Sequence, residues 1–144
     1  MHCAGASFSI LKYSGYQCDV DPFLDTYEST NGVHVVTAAT AITLDGGDPL
    51  YLVMSSALWF GDKMEHSLFN GNIVRDSGLD LCTDPYDPHR ELGIRDRDRG
   101  LFVPLQRRGN FIGIETLKPD PDDVLTAITN GDRNVIYLDP TDEF

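Results

Sequence analysis

The sequence predicts a mainly β fold with one or two short helices, and three observations carry that reading. Residues 33–54 form two apolar, β-branched or aromatic runs on either side of Asp45-Gly46-Gly47-Asp48-Pro49, the pattern of a β-hairpin whose turn needs glycine's positive φ. Short apolar alternations bounded by turn residues recur at residues 7–11, 101–105, 111–115 and 135–138. One strong helix signal stands near the end, where Asp120-Pro121-Asp122-Asp123 offers an N-cap, a proline at the first helical position and two acids in the first turn.

Taken in order, Phe8 and Ile10 alternate with serines in a first strand, and Tyr13-Ser14-Gly15-Tyr16 is a turn candidate. Cys18 to Phe23 continues as extended or loop structure, with Pro22 biasing Asp21 away from helix. Asn31-Gly32 reads as a tight turn into the central hairpin, which rises through Val33, Val35, Val36 and Ala38 to Ala41 and returns as Leu50 to Met54. Ala57-Leu58-Trp59-Phe60-Gly61 is expected to be a further strand. A short helix from about Asn72 closes at Gly78. Asp84 to His89 is a rigid two-proline loop, and the sign-alternating residues 95–100 an exposed turn. Residues 101–105 and 111–115 make a second hairpin across Arg107 to Asn110. The closing helix carries Val124, Leu125 and Ile128 inward and stops near Asn130-Gly131. A last strand, residues 135–138, leads to an acidic tail.

A chain of 144 residues holds one domain with a real core. With 23 acidic against 11 basic side chains its formal charge is -12, which repels phosphate and disfavours nucleic acid or an anionic membrane as partner. No apolar run is long enough to span a bilayer, and no secretory signal precedes the first strand, so an intracellular, cytoplasmic setting is expected. Cys3, Cys18 and Cys82 are odd in number and widely spaced, which points to buried, reduced thiols.

Single motifs say little about chemistry. Asp76-Ser77-Gly78 is the D-[S/T]-G triplet of aspartic proteases, whose mechanism needs two carboxylates sharing one proton. Arg75 precedes it and Leu79 follows it, however, so a helix end explains the triplet better. His66, beside Glu65, has no second histidine or cysteine at metal spacing, and a structural hydrogen bond is its expected role. Asp96 to Gly100 resembles the start of a calcium loop, but the glycine is one position early and Arg107 stands where the closing glutamate belongs. No Walker-type loop, dinucleotide fingerprint or G-x-S-x-G elbow is present, and neither a cofactor nor a metal is expected.

The succession Cys3-Ala4-Gly5, Cys18-Asp19-Val20 with Pro22-Phe23, Asp25 and Tyr27-Glu28, Val35-Val36 with Ala38 to Ala41, Tyr51-Leu52-Val53, and Ala57 to Gly61 with Met64 to Leu68 resembles the protease region of copia-type retrotransposon polyproteins. Glu91-Leu92-Gly93-Ile94 and Leu101 to Leu105 fit the same pattern, so the likeness covers most of residues 3–118. The resemblance implies a small, closed retropepsin-like β-barrel over residues 1–118, followed by a short helix and acidic extension over 119–144. It implies a homodimer in which each subunit lends one aspartate to a peptide or polyprotein substrate. In the family that aspartate sits in a D-S-H-A-D-T-like segment just before the Cys-Ala-Gly, a place held here by Met1 and His2 alone. The resemblance therefore implies that the catalytic strand is missing and that the chain has no peptidase activity by itself. An active dimer using Asp76, or a non-enzymatic dimerising or peptide-binding module, are the alternatives. The hairpin around residues 45–49 falls where a flap would close over a peptide, with Thr40, Ala41, Ile42, Gly46, Gly47 and Leu50 as its substrate-facing residues.

Overall fold

The computed structural model describes residues 1–20, 30–43, 47, 49–64, 66–109 and 111–140. The chain order is β1 (His2–Gly5), β2 (Ser9–Val20), β3 (Thr30–Thr43), β4 (Pro49–Gly61), α1 (Gly71–Asp76), β5 (Asp80–Cys82), β6 (Gly93–Asp96), β7 (Leu101–Pro104), β8 (Gln106–Arg108), β9 (Phe111–Gly113), α2 (Pro121–Asn130) and β10 (Val135–Tyr137). The fold is mainly β, as the patterning predicts. The strands divide into a five-stranded sheet ordered β1-β4-β3-β2 with β10 also on β4, a three-stranded sheet β5-β6-β7 and the pair β8-β9. The barrel that the resemblance implies is thus not closed.

β3 and β4 form the central antiparallel pair, from Val35 opposite Leu58 to Thr43 opposite Pro49, with one register shift between Val36 and Ala38. Side chains alternate faces along β4. Leu50, Leu52 and Met54 enter the larger core with Val36, Ala38 and Ile42, while Tyr51 and Val53 turn to the opposite face. Val124 and Ala127 of α2 and Val135 of β10 cover that second face. Val74, Leu79, Leu81, Ile94 and Val103 cover the first. A strand covered on both sides needs apolar residues at every position, which is why residues 50–54 read as a continuous run.

The other edge of β4 carries two parallel strands end to end, β10 against Tyr51 to Val53 and β1 against Ala57 to Gly61. β10 therefore belongs to the same sheet as β1 to β4 and α2 packs on it, with Ile136 and Leu138 fully buried. β1 is also held on its far side, where Cys3 and Leu68 exchange two backbone hydrogen bonds of 2.9 Å and Ala6 N–H donates to Met64 O. The approach is close enough that a Cβ on Gly5 would stand 2.4 Å from Met64 O.

Several sequence expectations need correction. Ala57 to Gly61 is not a separate strand but the second half of β4, because Ser55 and Ser56 continue its extended backbone. Tyr13 to Tyr16 is not a turn: it lies within β2, where the register against β3 shifts between Tyr13 and Gln17 and Gly15 takes φ +87°. Asn31-Gly32 likewise lies within β3, whose register against β2 is irregular between Cys18 and Val20. Residues 101–104 pair with β6 rather than with the 111–115 run, so the second hairpin is the shorter β8-β9 pair. Arg95 and Asp96 belong to β6, and Asp96 is buried, accepting from Arg99 N–H and from Arg99 Nη1 at 2.9 Å.

Both helices form as predicted. Asn70 caps α1 by accepting from the N–H groups of Asn72 and Ile73, and Gly78 with positive φ follows its end. Asp120 caps α2, and Gly131 closes it in the left-handed conformation. Val124 faces inward as predicted and Ile128 is half-buried against the same cluster, but Leu125 is exposed and Ala127 takes the inward place. The cysteines are all free, yet Cys82 alone is buried and Cys3 and Cys18 are half-buried. No helix among the described residues is long and apolar enough to cross a membrane.

Candidate functional site

The predicted peptide-facing residues of β3 and β4 sit along the central antiparallel pair. Thr40, Ala41, Ile42 and Leu50 are all buried, and Ile42 pairs directly with Leu50 across the hairpin. Thr40 Oγ1 donates to Ser7 O at 2.7 Å and stands 3.2 Å from Leu117 O. Ala41 exchanges backbone hydrogen bonds of 3.0 and 2.8 Å with Leu117. These contacts tie the turn end of the hairpin to the chain that leads into α2, and the four side chains are buried there. Gly47 is exposed, and Gly46 lies outside the described residues.

Asp76 is the last residue of α1 and is exposed. A carboxylate there sits at the negative end of the helix dipole, without the apolar strand that a proton-sharing pair requires. His66 is exposed, and among the described residues it makes no hydrogen bond in place of the structural one expected of it. No group of three or more His, Cys, Asp or Glu able to hold a metal occurs among the described residues.

Sequence reasoning missed His2. It is fully buried, with Phe69 edge-on at 5.8 Å between ring centroids. Asn70 N–H donates to its Nδ1 at 2.8 Å, so the ring proton stays on Nε2, which donates to Leu138 O at 2.7 Å. Burial lowers its pKa, and the bond to Leu138 and the charge of Asp139 only partly offset that. Asp139, also buried, accepts from Ser55 N–H at 2.7 Å and Ser56 N–H at 2.9 Å. His2 and Asp139 thus fill the gap along β4 between the end of β10 and the start of β1. Burial also raises the Cys3 thiol, with the terminal ammonium acting against it, so that thiol is a poor nucleophile.

An open groove of about 640 Å³ lies at the other end of β1. Ile10 and the half-buried Trp59 form one wall, and Lys118 to Pro121 the other. Ser9 Oγ donates to Pro119 O, which ties the second wall to β2. Trp59, Ile10, Pro119 and Pro121 offer apolar surface for an extended side chain, with Lys118 exposed at the rim. Among the described residues that line it, the groove has no histidine, cysteine or paired acid able to act as base or nucleophile.

No protein-family model, curated protein or solved structure matches this chain.

Proposed function

We propose that this chain is a retrotransposon-derived, aspartic-protease-like domain whose residues 1–144 do not themselves cleave peptides. The ordered succession of residues from Cys3 to Leu105 supports the kinship, and the mainly β fold with a central hairpin is compatible with it. One observation carries the inactive reading: the single D-[S/T]-G aspartate in the sequence, Asp76, is exposed at the last position of α1. The dimeric protease built on Asp76 lacks the apolar strand it would need at that position.

Placing an apolar strand bearing D-S-H-A-D-T ahead of Cys3 tests the kinship. Pepstatin-sensitive hydrolysis is expected in the extended protein and not in residues 1–144. An extended protein that folds, associates and still shows no hydrolysis would refute the relationship.

A second reading is a non-enzymatic dimerising or peptide-binding module, and the Trp59 groove favours its peptide-binding form. Trp59→Ala should abolish saturable binding of a fluorescein-labelled apolar peptide, read by the anisotropy of the label. Retained binding to the variant would remove the groove from consideration.

A further inference from the structure

Within a chain of formal charge -12, Arg90, Arg95, Arg97 and Arg99 fall inside ten residues, and the first three converge on one cavity of about 180 Å³. The three-stranded sheet explains the convergence. Its inner row, Leu81, Ile94 and Val103, is buried in the core, and the register then puts Asp80, Arg95 and Phe102 side by side on the opposite face.

Each member of that outer row has a definite job. Phe102 supports the Arg95 guanidinium, whose Cζ stands 4.7 Å from the ring centroid. Gly93 makes room for that ring, since a Cβ there would meet Phe102 at 2.6 Å and Val103 O at 2.4 Å. Asp80 is held on both oxygens, by Arg90 Nη2 on Oδ1 and by Arg97 Nη2 on Oδ2 at 2.9 Å. The slight desolvation of Asp80 raises its pKa, but the Arg97 hydrogen bond and the charges of Arg90 and Arg97 outweigh that and hold it below the usual carboxylate range.

The arginines are not consumed by this arrangement. Arg97 spends one nitrogen on Asp80, and Arg90 spends the same Nη2 on Asp80 and Leu81 O. Arg95 forms no ion pair among the described residues, and it lines the cavity while its guanidinium lies over Phe102. Against these three cations the cavity holds Asp80 and Glu91, so one positive charge is left over, beside His89. The resident Asp80 shows which group the forks accept.

We propose that this face binds a carboxylate, with Arg95 as the primary contact and Arg97 and Arg90 as its flanks. The site does not depend on the retrotransposon reading. The rest of the chain repels polyanions, so an isolated carboxylate, free or on an acidic side chain of a peptide, suits it better than nucleic acid.

Titration of the full chain, followed through backbone amide resonances, tests the site with acetate, a blocked tri-glutamate peptide, its tri-glutamine counterpart and inorganic phosphate. Saturable shifts are expected at Leu81, Gly93, Arg95 and Phe102 with acetate or tri-glutamate and not with tri-glutamine. The tighter of the two binders identifies the source of the carboxylate. Arg95→Gln should weaken binding by about tenfold or more, and Arg95→Lys, which keeps the charge and loses the fork, by somewhat less. Asp80→Asn should tighten binding several-fold by removing the resident carboxylate's repulsion. Absence of saturable shifts with both carboxylates, equal binding of tri-glutamine, tighter binding of phosphate, an unaffected Arg95→Gln variant or weaker binding by Asp80→Asn would each overturn the proposal.

Discussion

The five-stranded and three-stranded sheets divide the chemistry of the molecule between them. In the first, β4 is covered on both faces, and the polar groups His2, Ser9, Thr40 and Asp139 are buried with hydrogen-bond partners in place. In the second, one face is apolar and the other carries arginines that outnumber the acids beside them. A face without apolar cover contributes little to folding but is free to meet a ligand. The difference teaches that stability and recognition are separable here, and single substitutions can show where the boundary lies.

The largest effect belongs to the doubly covered strand. Leu52→Ala, at a fully buried position, should cost about 2–5 kcal/mol in urea unfolding. A loss below about 1 kcal/mol would mean that β4 is not enclosed on both sides. Next comes the junction of β10 and β1, where Asp139→Ala leaves the N–H groups of Ser55 and Ser56 without their acceptor and should cost about 1–3 kcal/mol. An unchanged urea midpoint would show that the carboxylate does not hold these strands together.

A smaller effect follows from the pKa of His2. Burial lowers it below 6.5, so the unfolded chain takes up this proton before the folded one does. The stability tied to neutral His2 is complete above the unfolded value and declines as pH falls through 6.5 toward the lower folded value. The urea midpoint should accordingly be lower at about pH 5.5 than at about pH 7.5, and His2→Asn should shrink the difference. Equal shrinkage in a His66→Asn control would assign the effect elsewhere. The smallest change is expected on the arginine face, where Arg95→Ala should alter stability by about 1 kcal/mol or less while removing carboxylate binding. A large destabilisation would make Arg95 part of the scaffold and erase the contrast between the sheets.

Much of the scaffold was legible in the residues. The central hairpin, the cap at Asp120 and the closing strand at Val135 are each encoded by local signals that tertiary contacts reinforce. What was not legible depends on distant pairing. Nothing near Tyr13 or Asn31 shows that the sheet absorbs these turn residues as irregularities within long strands. The parallel placement of β1 and β10 on one edge of β4 brings residues 2 and 139 together, a separation that local patterning cannot register. His2 therefore carries no local signal of its burial. By sequence alone residues 95–100 look like an exposed charged turn, because the Asp80-Arg95-Phe102 row exists only once three strands are in register.

The most direct test of the functional account is incubation of purified residues 1–144 with unfolded protein and mixed peptide substrates across acidic and neutral pH, with fragments read by mass spectrometry. The account expects no cleavage above background and no change on adding pepstatin. Cleavage that pepstatin abolishes, and that Asp76→Asn also abolishes, would contradict it.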